Sequence, residues 1–403
     1  MNKYDIRHAD VAGKVVLVRV DINVPMKDGV VTDDTRITRI LPTLQYLQEA
    51  GAKIVLLSHF GRPEGMHNEA MSLRLVMPAL QTLLPNATVH FAADCIGDET
   101  KQAIGALKAG EIVLCENLRF HAAEEKGDAQ FAAQLAALGD IYVNDAFSCS
   151  HRAHASISGI AAFLPSYYGL SMVEELDALQ RVFHAPQKPV AALVGGSKVS
   201  TKMALLEHLV ETMDIIMIGG GMANTFLYAQ GHDVGKSLCE PDLQPLALSI
   251  LHKAAKNNCR ILLPTDVVAA RQFAAHAECE IVPADDIPSD AMALDIGCAS
   301  VQHWAEALQE VRTLVWNGPV GAFEIAPFDN ATVSLARHIA SLTRAGQLVC
   351  VAGGGDTVAA LNHAGLSNAM SYLSTAGGAF LEWLEGKQLP GVHAIESMQK
   401  AVA

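Results

Sequence analysis

The chain has 403 residues, half of them hydrophobic and 18% charged, which excludes a disordered chain and exceeds the usual reach of one core, so two domains are expected. Lys and Arg number 29 against 43 Asp and Glu, a net charge of −14. That balance excludes a duplex-DNA binder or an anionic-membrane binder as a whole-chain reading, but leaves room for a local basic pocket.

In chain order, the opening MNKYDIRHAD lacks the apolar core of a secretory signal. Short apolar runs then alternate with polar turns and amphipathic stretches. In the first half they are residues 15–20, 53–57, 111–115 and 140–143; in the second, 190–194, 214–218, 260–263, 313–316 and 347–352. Runs this short and β-branched, separated by helix-length segments such as Ser72 to Leu84, predict buried parallel strands with crossover helices. Nine strands are too many for one sheet of typical size, which again favours two α/β domains.

Ligands of open parallel sheets bind outside the carboxyl ends of the strands, so the segments after each run carry the functional reading. After the first run, alternation puts Val18, Val20, Ile22 and Val24 on one face and Arg19, Asp21 and Asn23 on the other. Arg36 follows the turn Asp33-Asp34-Thr35. The next three runs lead into Ser58-His59-Phe60-Gly61-Arg62-Pro63, Glu116-Asn117-Leu118-Arg119-Phe120-His121, and residues 144–154 with Arg152. Any one arginine reads as a loop residue paired with a carboxylate. Together they bring guanidinium forks to one end of one sheet, and the ligand this predicts is a small polyanion.

The uncharged stretch Ala155 to Val173 is nominally long enough to span a membrane, but its glycines, proline and serines predict buried loop and helix. Ser171 to Glu174 fits a capping box, and Met172, Leu176, Leu179 and Phe183 share a helix face, so a helix over 171–184 is expected to connect two domains. In the second half the strand ends carry glycines: Gly195-Gly196 before Lys198 and Lys202, then Gly219 to Gly221, then Gly353 to Gly355 before Asp356 and Thr357. Such turns let backbone N–H groups approach phosphate oxygens at a helix N-terminus. None has Walker A spacing or a convincing dinucleotide fingerprint. Asp356 reads either as a helix N-cap or as a Mg²⁺ ligand beside a phosphate chain. Lys198 and Lys202 share a side if their segment is helical, and Glu324 ends a tight turn where it could accept from ribose hydroxyls. Eight scattered cysteines without a C-x-x-C pair point to a reducing cytosol.

The set RVDINVP (19–25), SHFGRP (58–63), ENLRFH (116–121), NDAFSCSHRAH (144–154), GGSKVSTK (195–202), GGGMANTF (219–226), WNGPVGAFE (316–324), GGGDT (353–357) and residues 374–392 resembles the phosphoglycerate kinase family along nearly the whole chain. The resemblance implies two doubly wound parallel-sheet (Rossmann-like) α/β domains joined by a connecting helix and hinge. Residues 1–170, with 390–403 returning to them, would bind 3-phosphoglycerate through Asp21, Ile22, Asn23, Arg36, His59, Phe60, Gly61, Arg62, Arg119 and Arg152. Residues 185–389 would bind Mg-nucleotide through Lys198, Lys202, Glu324, Gly354, Gly355, Asp356 and Thr357, with Asp356 on Mg²⁺. The implied reaction is reversible transfer of the acyl phosphate of 1,3-bisphosphoglycerate to ADP. Arg36 and Lys202 would flank the transferring group once the domains close. A cytoplasmic monomer acting on small molecules, not on nucleic acid or membrane, is the accompanying expectation.

Four positions depart from the family's pattern. Cys149 lies in Ser148-Cys149-Ser150 and predicts a pocket sensitive to thiol reagents. Ile22 is expected to be a packing change. Residues 297–300, Gly-Cys-Ala-Ser, are left out of the nucleotide site. Ala376 replaces a glycine, and a helical backbone is expected there. A dehydrogenase and a catalytically silent relative are the alternatives; the first lacks a dinucleotide fingerprint, and the second should have lost a site arginine or lysine.

Overall fold

A computed structural model describes residues 3–183 and 186–402, with side chains through residue 397. The chain divides into two compact units, Met1–Asp177 with Gln388–Ala403, and Ala178–Lys387.

The first unit is built on a six-stranded sheet of β1 (Val15–Val20), β4 (Lys53–Leu57), β5 (Val89–Ala92), β6 (Ile112–Cys115), β7 (Ile141–Asp145) and β8 (Ser166–Tyr168), with the small hairpin β2 (Met26–Lys27) and β3 (Val30–Val31) beside it. The strand order is β5-β6-β4-β1-β7-β8, and every pairing is parallel. The second unit repeats the design with β9 (Val190–Val194), β10 (Ile215–Ile218), β11 (Arg260–Leu262), β15 (Thr313–Asn317), β16 (Val349–Gly353) and β17 (Tyr372–Ser374), in the order β11-β10-β9-β15-β16-β17. All nine predicted runs are strands. Their continuous apolar character follows from burial on both faces, as in β9, where all five residues are buried.

A third, antiparallel sheet of β12 (Asp266–Ala270), β13 (Cys279–Pro283) and β14 (Met292–Ile296) was not anticipated. Strand β13 is mostly exposed, so its sequence lacks the long apolar run that marks its buried counterparts. Ala155 to Val173 holds a π-helical turn, a 3₁₀ turn and β8 before the next helix begins. No helix among the described residues is long and apolar enough to cross a membrane.

The predicted connecting helix spans Leu170–Phe183, and residue 184 lies outside the described residues. Its first turn corrects the capping-box expectation. Ser171 is inside the helix, and its hydroxyl donates to Asp145 Oδ1 at 2.9 Å, where the Met172 N–H also donates at 2.9 Å. The cap is thus a carboxylate from the end of β7. The other oxygen of Asp145 accepts from Thr43 Oγ1 at 2.6 Å, and Thr43 Oγ1 accepts the Leu170 N–H at 2.8 Å. One buried acid therefore fastens β7, the helix Thr35–Glu49 and the helix start.

Replacing Asp145 by Ala strands three donors in the interior and should lower stability by about 2–4 kcal/mol, read from the urea midpoint. Asp145→Asn, which keeps one acceptor oxygen, should lose less. A midpoint unchanged in the alanine variant would contradict this role.

Candidate active site

In the first unit, chain order reverses beside β1, with β4 on one side and β7 on the other. Loops leaving neighbouring parallel strands in opposite directions open a crevice at their carboxyl ends. Asp21, immediately after β1, is buried there. Its Oδ2 accepts from Arg36 Nη1 at 2.7 Å and from Ser148 Oγ, of the loop after β7, at 2.5 Å. Burial pushes the Asp21 carboxyl up, but the Arg36 charge, the Ser148 hydroxyl and the Arg19 charge outweigh it and hold the group below its ordinary value. Arg36 projects from the first turn of Thr35–Glu49.

Asn23 Oδ1 accepts the Gly61 N–H at 2.9 Å, joining the loops after β1 and β4. Arg119 Nη1 donates to the Gly61 carbonyl at 2.9 Å, while its Nε lies 3.2 Å from Glu125. Gly61 has a φ of 62°, in the left-handed region, and an added Cβ would sit 2.9 Å from the Met71 sulfur. His59 is buried, with Nδ1 3.2 Å from Arg19 Nη2. A guanidinium can only donate, so Nδ1 accepts and the ring keeps its proton on Nε2. Burial and the Arg19 charge hold His59 well below its ordinary pKa, in the neutral form.

Asp21, Asn23, Arg36, Gly61 and Arg119 are thus linked by short contacts, and His59 joins Arg19 beside them. Arg62 and Arg152 are exposed on neighbouring loops and form no ion pair among the described residues. Ile22 and Phe60 are different: both side chains belong to the hydrophobic core, so only their backbones are available to a ligand.

Sequence reasoning placed Arg19 on the polar face but missed the network beneath it. Arg19 is completely buried; its Nε donates to Ser156 Oγ at 2.9 Å, and Ser156 Oγ donates to Glu124 Oε1 at 2.6 Å. Asn117 was missed as well. Its side chain bonds both backbone groups of Phe60 and the Arg119 N–H, shaping two of the crevice loops. Cys149 Sγ lies 4.0 Å from His59 Nδ1, but the thiol is buried, and burial with the Asp21 charge raises its pKa. A buried, protonated thiol reacts slowly, which corrects the expected sensitivity to thiol reagents.

The second sheet reverses order between β9 and β15. The Gly195 N–H donates to the Asn317 carbonyl at 3.0 Å, and a Cβ on Gly195 would collide with the Pro319 carbonyl. Gly220, with φ 70°, would bring a Cβ within 2.7 Å of the Gly196 carbonyl. These glycines serve close loop packing. Gly355 differs: it is exposed, with nothing within 4 Å of an added Cβ.

Lys202 sits at this crossing. Its ammonium donates to the carbonyls of Gly195 at 2.5 Å and Asn317 at 2.9 Å. No carboxylate oxygen pairs with it among the described residues. Burial lowers its pKa to about 8, only partly opposed by the more distant Asp356. Beside it, Asn317 Nδ2 donates to the Gly353 carbonyl at 2.9 Å, and its buried Oδ1 has no hydrogen-bond partner among the described residues. The Thr357 hydroxyl accepts the Gly318 N–H at 2.7 Å and donates to Gly353 at 2.8 Å, so it braces the turn.

Gly354, with φ 98°, precedes the helix Gly355–His363, whose first turn carries the exposed Asp356. Gly354 takes the N-cap position and no side chain caps this end, which removes the N-cap reading of Asp356. Lys198 is exposed and precedes a 3₁₀ turn, Val199–Thr201, so the shared helical side expected of it and the partly buried Lys202 does not form. Glu324 is exposed after the β15 turn. The N-terminus of Cys298–Glu310 is already covered by Asp266, which accepts from the N–H groups of Ala299 and Ser300 at 3.0 and 2.7 Å. Ala376 is not helical as expected; positive φ falls on Gly377, at 56°, and alanine is accommodated without strain.

Comparison with known proteins agrees with this architecture. Residues 6–387 match the family model described as phosphoglycerate kinase. The chain is 58% identical over 385 residues to a phosphoglycerate kinase of Methylorubrum extorquens, covering 96% of each chain. A phosphoglycerate kinase of Rhizobium meliloti is likewise 58% identical over 386 residues, again covering 96% of each. The solved phosphoglycerate kinase of Coxiella burnetii superimposes with a TM-score of 0.91 at 40% identity, covering 98% of this chain and 99% of that one. The chain belongs to the phosphoglycerate kinase family.

Proposed function

We propose that the two switch-point crevices divide the reactants of a phosphoglycerate kinase, the first unit holding 3-phosphoglycerate or its acyl phosphate and the second holding ADP or ATP. The observation that carries this reading is Lys202, a partly buried ammonium whose hydrogen bonds among the described residues go only to carbonyl oxygens. A buried cation without a counter-ion is unfavourable, and a phosphate oxygen would relieve it. In the other crevice Arg36, Arg62, Arg119 and Arg152 supply forks for a carboxylate and a phosphate. The His59 Nε2–H adds a neutral donor, and Asp21 with Asn23 offers oxygens to a substrate hydroxyl while Asp21 aims Arg36.

Transfer then runs in line between a carboxylate oxygen and the terminal phosphate of ADP, through a loose transition state. A carboxylate is already an adequate nucleophile in the reverse direction, so no general base is required. Arg36 and Lys202 flank the moving group and neutralise its charge, and positioning supplies most of the remaining acceleration. Direct transfer requires the two bound reactants to meet during turnover. In the second unit Gly354 and Gly355 leave backbone N–H groups open to the phosphate chain, Thr357 braces them, and Lys198 and Glu324 reach the nucleotide from exposed turns.

The donor chemistry fits Mg²⁺: the exposed Asp356 carboxylate has no hydrogen-bond partner among the described residues and offers a hard oxygen beside the Lys202 crevice. When bound, the ion would neutralise phosphate charge. A cytoplasmic location is supported by the eight free cysteines. A monomer handling small molecules, with no nucleic acid or membrane partner, accords with the net charge of −14.

Arg36→Ala and Lys202→Ala should each lower kcat by about two to three orders of magnitude in a coupled ATP-formation assay, with unchanged circular dichroism. Near-normal turnover in either variant would remove it from the mechanism. The Lys202 pKa of about 8 gives a second test. A bound phosphate stabilises the ammonium, so binding raises that pKa; ADP binding should take up protons at about pH 8.5, and affinity should fall as pH rises through this range. Calorimetry in buffers of different ionisation enthalpy reads the uptake directly. Lys202→Arg, permanently charged, should abolish it, whereas wild-type binding without uptake would contradict the assignment.

A further inference from the structure

Two clusters among the described residues bring one Asp, one His and one Cys ligand atom within 4.8 Å of one another: Asp21, His59 and Cys149, and Asp94, Cys95 and His121. Their geometry is similar, and their charged partners differ. In the first, Arg19 occupies the lone pair of His59 Nδ1 at 3.2 Å and Arg36 holds Asp21 at 2.7 Å. Two guanidinium groups bar a cation there. In the second, His121 is the partner of Asp94, and neither Lys nor Arg pairs with it among the described residues. With no guanidinium or ammonium group holding its carboxylate, this cluster leaves its donors open to a dication.

The second cluster is also held in place by the fold. Asp94 and Cys95 follow β5, and His121 follows the 3₁₀ turn after β6, the neighbouring parallel strand. His121 Nε2 lies 2.7 Å from Asp94 Oδ1, and its ring rests against Phe131 with centroids 5.1 Å apart. Cys95 is buried, while Asp94 and His121 keep 48% and 30% of their side chains exposed, so a fourth position opens to water.

We infer that Asp94, Cys95 and His121 form a site for a thiophilic divalent cation, zinc foremost, with water as the fourth ligand. Mixed oxygen, nitrogen and sulfur donors suit zinc, whereas the thiolate disfavours Mg²⁺. On binding, the Cys95 S–H bond breaks and its proton passes to solvent. The His121 Nε2 proton also leaves, to Nδ1 if the ring is neutral or to solvent if it is charged. Bonds from the metal to sulfur, nitrogen and oxygen form with no change of oxidation state. Tetrahedral bond lengths of about 2.0–2.3 Å separate ligand atoms by about 3.3–3.7 Å, so the His121–Asp94 contact must open by less than about 1 Å.

Co²⁺ titrated into the full, reduced chain reads this site through its thiolate charge-transfer band and tetrahedral d–d bands. One equivalent should develop both; Zn²⁺ should erase them, and excess Mg²⁺ should not. Cys95→Ser and His121→Ala should each lose the bands while remaining folded by circular dichroism, and Cys149→Ala should keep them. If Cys95→Ser fails to fold, His121→Ala carries the test. The turnover of metal-free Cys95→Ser should match wild type. A wild-type protein without the bands, or bands that survive His121→Ala or vanish in Cys149→Ala, would overturn the assignment.

Discussion

Parallel strands all present their carboxyl ends to one edge, and each of the two large sheets reverses its strand order once. Everything functional in this chain depends on that constraint. In the first sheet the reversal sets Asp21 against Ser148 at 2.5 Å, and in the second it sets the Gly195 and Asn317 carbonyls around Lys202. Residues far apart in the chain meet because neighbouring strands deliver their following loops to one place. The same geometry accounts for the phosphoglycerate kinase family's anionic reactants: each crevice concentrates cations in a protein that is acidic as a whole.

Concentrating cations in a partly buried crevice has an electrostatic cost, and the two units meet it differently. The first sets acids or hydroxyls against Arg19, Arg36 and Arg119. Arg19 is completely buried, but Ser156 links it to Glu124 and its charge is retained. The second unit gives Lys202 only carbonyl oxygens, and burial depresses its pKa with little opposition from the more distant Asp356. The contrast fits the proposed ligands. A compact substrate needs a rigid, pre-aimed set of donors, whereas a phosphate chain carries enough charge to complete an under-neutralised site.

Much of this was legible in the sequence because buried parallel strands leave a strong mark. The runs at 15–20, 53–57 and 190–194 coincide with β1, β4 and β9. Exposed β13 carries no such mark, and the antiparallel sheet escaped notice with it. Candidate site residues were named where residue type and the loop after a strand coincided, as at Asp21 and His59. They were illegible where the partner came from a distant segment: nothing local to Glu124 announces that it supports Arg19 through Ser156. Ser171 misled for the same reason, since a residue 26 positions earlier, Asp145, took the role its motif advertised. Local pattern reads propensity, and tertiary contacts decide which propensity is used.

The assignment of the anionic reactants to separate crevices is tested most directly by a crystal structure of the chain with 3-phosphoglycerate and ADP bound. The account predicts the phosphoglycerate among Arg36, Arg62, Arg119 and Arg152, and the ADP phosphates between Lys202 and the Gly354–Gly355 turn. Phosphoglycerate held anywhere outside the guanidinium cluster, or a nucleotide whose phosphates avoid Lys202, would contradict it.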